Sequence, residues 1–267
     1  METVFVGYLG ALIIGIVLGL IGGGGSILTL PILVYVLSIN PVIATAYSLF
    51  VVGTSALVGV VRNIQKQMID LRTGITFAIP ALITVFLTRK FLLPAIPINL
   101  FTLGDFLITR DIGIMLFFAF IMLLSSYTMI KDSKTKLKLN ENFKCNYSLI
   151  VVEGIVVGVL TGIVGAGGGF LIIPALVLLA KLSMKKAVAT SLLIIAIKSL
   201  IGFLGDVQNV EIDWSFLLLF TSLSVVGMFI GLYLNKFIDS EKLKKSFGWF
   251  LLIMGIYIVL KETILRM

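Results

Sequence analysis

Apolar runs near or above the roughly 20 residues that cross about 30 Å of hydrocarbon recur from one end of this 267-residue chain to the other. No stretch is left over for a soluble domain. With 59% hydrophobic and 13% charged residues, the chain has too little polar surface to cover a water-soluble globule of its size, so the bilayer is its expected solvent. The first run, Val4 to Ile21, resembles a signal peptide in length. Glu2 stands where a positive flank belongs, and Gly22 to Gly25 follow where a small-residue cleavage site belongs, so the run is read as retained.

The net charge of +8 sits mostly in short connections between apolar runs, where topology signals lie, and does not imply a nucleic-acid partner. Histidine is absent and Cys145 is the one cysteine, in a polar loop. These residues offer no disulfide framework, no paired-thiol or zinc site and no histidine acid–base chemistry. The expectation is no cofactor, no metal and no catalytic residue.

A shift of 143 positions lays residues 15–70 on 158–213 without a gap, with about 18 of 56 positions identical. Gly15 falls on Gly158, Gly19 on Gly162, Gly22 on Gly165, Gly24 and Gly25 on Gly167 and Gly168, Pro31 on Pro174, Ser48 on Ser191, Gly59 on Gly202 and Asp70 on Asp213. An abundance of Leu, Ile and Val cannot place Gly and Pro pairs in register, so two copies of one unit are expected. The first unit covers residues 1–130, a basic cytoplasmic linker 131–146, and the second unit 147–267.

Each unit reads as a long apolar helix, a Gly cluster, a short apolar segment carrying Pro, and three more long helices. The expected spans are 4–21, 27–38, 41–61, 73–93 and 112–130, then 147–164, 170–180, 185–205, 214–235 and 246–260. Twelve residues at about 1.5 Å each reach only about 18 Å, which argues that the two short segments turn back. Charge argues for crossing. With ten crossings and the N-terminus outside, inside loops hold 15 Lys and Arg and outside loops 5; with eight crossings the split is 10 to 10. The positive-inside rule favours ten crossings, with both termini outside a cell (inner) membrane. Five crossings per unit invert the second copy relative to the first. The loop 62–72 carries three positive charges, and its counterpart 205–213 carries Asp206, Glu211, Asp213 and no Lys or Arg, as inverted repeats require.

Gly22 to Gly25 with Ser26, and Gly165 with Gly167 to Gly169, disfavour helix by about 1 kcal/mol per Gly relative to Ala, so the chain is expected to break there. Freed N–H groups beside a following helix N-terminus form an anion-binding concavity; close interhelical packing is the competing reading. No Gly-Lys-Ser or Gly-Lys-Thr follows, which excludes a nucleotide phosphate loop. The stretches 44–48 and 187–191 place Thr45, Tyr47 and Ser48, and Thr190 and Ser191, at matching positions, where they either line a path or bond back to helix backbone. Lys198 lies well inside a span, where a cation is costly and faces a cavity or a partner such as Asp206. Its counterpart is Ser55, so a charged site is asymmetric. No acidic pair stands in mid-span, which gives little support to a proton or sodium relay.

The run Gly15 to Ser26 with Pro31 and Ala44 to Leu49, echoed by Gly158 to Pro174 and Ala187 to Leu192, resembles the TauE/SafE sulfite exporter family, also called the toluene sulfonate uptake permease family. The likeness covers nearly the whole chain. It implies a transporter of sulfite, sulfonates or other small sulfur-containing or carboxylate anions. The resulting expectation is a secondary transporter or facilitator exporting sulfite, with coupled uptake of an organosulfonate or carboxylate as the alternative and a membrane-embedded sulfur transferase as a remote one. The expected substrate site is Gly22, Gly23, Gly24, Gly25, Ser26, Thr45, Ser48, Gly167, Gly168, Gly169, Thr190, Ser191 and Lys198. The expected partners are the small anion and the lipid bilayer, with assembly into a homo-oligomer left open.

Overall fold

The computed structural model describes residues 2–103, 106–131, 147–165, 168–178, 180 and 182–263. They form helices throughout, apart from one small hairpin between the fourth and fifth helical elements. α1 spans Glu2–Ile21. α2 follows without a loop, winding as a 3-10 helix over Gly22–Leu28, an α turn over Thr29–Pro31 and a π turn over Ile32–Val36. α3 is Pro41–Gln65, and α4 is Leu71–Leu87 prolonged by a π turn at Thr88–Leu92 and a last turn at Leu93–Ala95. The antiparallel strands β1 (Asn99–Leu103) and β2 (Phe106–Thr109) precede α5 (Arg110–Lys131). This hairpin departs from the all-α expectation and occupies a connection between helices. The second half holds α6 (Tyr147–Val164), α7 (Gly169–Leu178), α8 (Met184–Asp206), α9 (Trp214–Leu234) and α10 (Ser240–Thr263).

The helix starts follow local chemistry. Asn40 caps α3 by accepting from Val42 N–H at 2.9 Å, with Pro41 in the first turn, where its missing N–H costs no hydrogen bond. Asp70 caps α4 by accepting from Thr73 N–H at 2.9 Å, and Asp213, its counterpart, caps α9 through Phe216 N–H at 3.1 Å.

α4 exposes Ile75, Ile79, Ile83 and Leu87 and buries Phe77, Ala78, Ala81 and Val85. An apolar stripe facing outward on a helix that also buries an apolar stripe is the pattern of a lipid-facing span. Among the described residues, five helices are long and apolar enough to cross a membrane: Pro41–Gln65, Leu71–Ala95, Arg110–Tyr127, Lys185–Asp206 and Trp214–Leu234. Shorter apolar helices lie at Phe5–Ile21, Ser26–Val36 and Ser148–Val164.

Glycines set the closest approaches. A Cβ on Gly15 or Gly19 would run into the α9 backbone near Ser224 and Gly231, and one on Gly158 or Gly162 would strike α4 near Ala81 and Thr88. These are the small-residue contacts that let membrane helices approach backbone to backbone. Both pairs, α1 with α9 and α6 with α4, run parallel, because later positions on one helix meet later positions on the other. α3 and α8 cross antiparallel, with Gly59 against Leu192 and Gly202 against Leu49. α2 folds back along α1, since Gly10 meets Ile32 and Gly7 meets Leu37. Its end therefore returns close to the level at which α1 begins.

Candidate functional site

The two Gly clusters break the chain by the same device. Gly22 has φ +73° and Gly165 has φ +70°, a region that side chains with Cβ rarely enter. Each turns its segment against the opposite half: Gly22 lies against Val188 and Ser191 of α8, and Gly165 against Thr45 of α3. Gly23 and Gly169 touch backbone to backbone where the clusters meet. Gly24 and Gly25 belong to the 3-10 turn after the first break, Gly168 adopts φ +66°, and Gly167 lies outside the described residues.

The hydroxyls around this junction hold different partners. Ser26 Oγ donates to Gly23 O at 2.7 Å, and Ser191 Oγ donates to Val188 O at 2.7 Å. Thr45 Oγ1 donates to Val42 O at 2.7 Å and accepts from Arg89. Thr190 Oγ1 accepts from Asp70 N–H at 3.0 Å, tying the start of α4 to α8. Ser48 Oγ is fully buried and has no hydrogen-bond partner among the described residues.

Lys198 sits in the middle of α8 and is fully buried. Its Nζ donates to Thr161 Oγ1 of α6 at 2.7 Å. It also reaches the second Gly cluster, since a Cβ on Gly168 would stand 2.7 Å from it. No carboxylate of the described residues pairs with it: Asp206, the partner considered from sequence, bonds Arg89 instead. A buried ammonium with one neutral acceptor has two N–H donors left over, and in a low-dielectric setting an anion is the natural complement.

Thus the structure brings Gly22, Gly23, Gly168, Gly169, Thr45, Ser191 and Lys198 to one layer between the halves. The arrangement supplies positive charge and donor groups but no nucleophile–base pair. It suits holding a small anion.

The family model for the sulfite exporter TauE/SafE matches residues 8–258. The chain belongs to the sulfite exporter TauE/SafE family. It is 27% identical over 252 residues to a probable membrane transporter protein of Xylella fastidiosa, covering 92% of this chain and 91% of that one. It is 26% identical over 263 residues to a probable membrane transporter protein of Bacillus subtilis, covering 93% and 94%. A probable membrane transporter protein of Methanocaldococcus jannaschii is 35% identical over 127 residues, covering 45% of this chain and 48% of its own. No solved structure matches significantly. This TauE/SafE member is a multi-pass membrane transporter.

The sequence reading of this family member missed one buried group. Arg89, a few residues from the end of the expected span 73–93, lies in the π turn of α4 and is fully buried. Its Nε donates to Asp206 Oδ2 at 2.7 Å, its Nη2 donates to the same oxygen, and its Nη1 reaches Thr45 Oγ1 at 2.9 Å and Gly162 O at 3.1 Å. The signal lies in the repeat: Arg89 falls on Leu232 and Asp206 on Asn63, so the two halves together bring opposite charges to one place and uncharged residues to its counterpart.

Proposed function

We propose that this TauE/SafE member exports a small sulfur oxyanion, sulfite in the first place, through an anion site at the junction of the two Gly clusters. The observation that carries the reading is Lys198: fully buried, bonded to a neutral hydroxyl, and set against the second Gly cluster. Backbone N–H groups of Gly22 to Gly25 and of Gly167 to Gly169 would meet the substrate oxygens, with Ser26, Thr45, Ser48, Thr190 and Ser191 lining the path. Lys198 biases the pocket toward anions.

The halves 1–130 and 147–267, joined by the linker 131–146, act in this reading as inverted repeats of five crossings each, with both termini outside. Paired contacts support it: α1 on α9 matches α6 on α4, and the equivalent helices α3 and α8 run antiparallel. Such repeats suit alternating access around a central site. An anion leaving a negative-inside cell gains about 2.3 kcal/mol per charge per 100 mV, so export proceeds without a coupling ion.

Sulfite efflux from proteoliposomes under an imposed membrane potential tests the proposal, with sulfate and a small sulfonate as competitors. Potential-dependent sulfite release is expected. Exchange of the sulfonate without sulfite release would move the substrate to organosulfonates and keep the site.

A further inference from the structure

A cavity of about 240 Å³ opens where the last turns of α1, α3 and α9 meet the first turn of α8. Lys66, Lys185 and Lys236 line it together with Asn63 and Asn235, and among the described residues no carboxylate does. Burial, followed by the charges of Arg62 and Lys236, holds Lys66 below its ordinary pKa. The cavity borders the central layer, because Val188 lines it and packs on Gly22.

Shifted by 143 residues, the lining reads as the surroundings of Arg89. Leu232 falls on Arg89, Asn63 on Asp206, Val188 on Thr45, Ala189 on Ala46, and Gly19 on Gly162. At that second place the Arg89 guanidinium is fully buried, bonded to Asp206, Thr45 Oγ1 and Gly162 O. One volume is open and basic, while its counterpart contains an ion pair.

We propose that the lysine-lined cavity is the vestibule through which a small oxyanion reaches the central layer from one face, and that the Arg89–Asp206 pair is the barrier closing the equivalent passage at the other. The relation between the faces rests on the inverted-repeat reading above. Three lysines raise the local anion concentration, an effect that salt screens over about 8–10 Å at physiological ionic strength. The pair is suited to a barrier because breaking it exposes two charges, which the low dielectric resists until water or a substrate anion enters.

The test uses the full chain in proteoliposomes with Cys145→Ser, carrying either Ala189→Cys or its counterpart Ala46→Cys. Membrane-impermeant methanethiosulfonates, one bearing a sulfonate and one a quaternary ammonium, are added from one side or the other, with rates normalised to free cysteine. Ala189→Cys is expected to react from a single face, about tenfold faster with the anionic reagent. Lys66→Gln, Lys185→Gln and Lys236→Gln together are expected to bring that preference close to one. Ala46→Cys is expected to stay unreactive from both faces. It should become reactive, from the face opposite to that of Ala189→Cys, when Arg89→Leu and Asp206→Asn install the residues that the other half carries at those positions. An unreactive Ala189→Cys, or equal rates with both reagents, overturns the vestibule. An Ala46→Cys that already reacts beside the intact pair overturns the barrier alone. Labelling of both cysteines from the same face overturns the inverted-repeat reading itself.

Discussion

Tyr47 and Thr190 occupy the same position in the two halves, and each accepts a hydrogen bond from the capping aspartate of the opposite half. Asp213 N–H donates to Tyr47 Oη at 2.8 Å, and Asp70 N–H donates to Thr190 Oγ1 at 3.0 Å. Each bond pins the start of one long helix, α9 or α4, to a helix that packs beside it. Tyr47→Phe and Thr190→Val each leave one backbone donor without its partner, at a cost of about 1 kcal/mol. The bonds share no residue, so the losses are expected to add. Thermal unfolding of the detergent-solubilised protein checks this, and midpoints unchanged in both variants would remove the bonds from the stability of the fold.

Lys198→Met separates function from stability. The Met side chain is similar in length and apolar, so the variant removes a buried charge that has one neutral acceptor, Thr161 Oγ1. Transport efficiency for the anion is expected to fall about tenfold or more, equivalent to about 1.4 kcal/mol. The unfolding midpoint is expected to hold or rise, as it does when uncompensated charge leaves an interior. A parallel loss of stability and transport would assign Lys198 to the scaffold instead.

The Gly junction predicts a graded response to single methyl groups. Gly23→Ala and Gly169→Ala each drive a Cβ into the backbone of the other cluster, where no side chain can swing away. Overpacking of this kind costs about 1–3 kcal/mol. Gly202→Ala is the control: its Cβ meets Val85 and Leu49 side-chain atoms at 3.3 to 3.5 Å, room enough after a small shift. It is expected to be neutral or to stabilise α8 by about 0.5–1 kcal/mol through the helical preference of Ala. Unfolding midpoints of the three variants give the comparison, and equal effects at all three sites would contradict the packing.

Much of this organisation is legible in the sequence because the same residues recur at one offset. Gly22 and Gly165 were paired by register before geometry gave both a positive φ. Lys198 was recognisable because a cation in mid-span has no inexpensive place to go. Arg89 was not, since a charge within a few residues of a span's end looks interfacial. Its burial depends on Asp206, 117 positions away, meeting it through the packing of α4 on α8. The winding of α2 as 3-10 and π turns was hidden for a related reason. Four glycines have no intrinsic preference for helix, and here the neighbouring α1, α7 and α8 decide the path.

The Arg89–Asp206 pair makes the sharpest energetic prediction. Removing one member leaves the other charge buried without its complement, a change that costs about 3–5 kcal/mol, so Arg89→Leu or Asp206→Asn alone is expected to lower the unfolding midpoint strongly. The double variant leaves no unpaired charge and recreates the Leu232 and Asn63 combination found at the equivalent place between the halves. It is therefore expected to be more stable than either single variant, with a coupling energy beyond the usual error of additivity, about 0.5 kcal/mol. Thr45 Oγ1 and Gly162 O limit the recovery, because both lose the donors of Arg89 Nη1. A double-mutant cycle on unfolding midpoints measures the coupling. Single variants whose losses simply add would mean that Arg89 and Asp206 do not share their burial cost, and the pair would then be too weak to hold a passage closed.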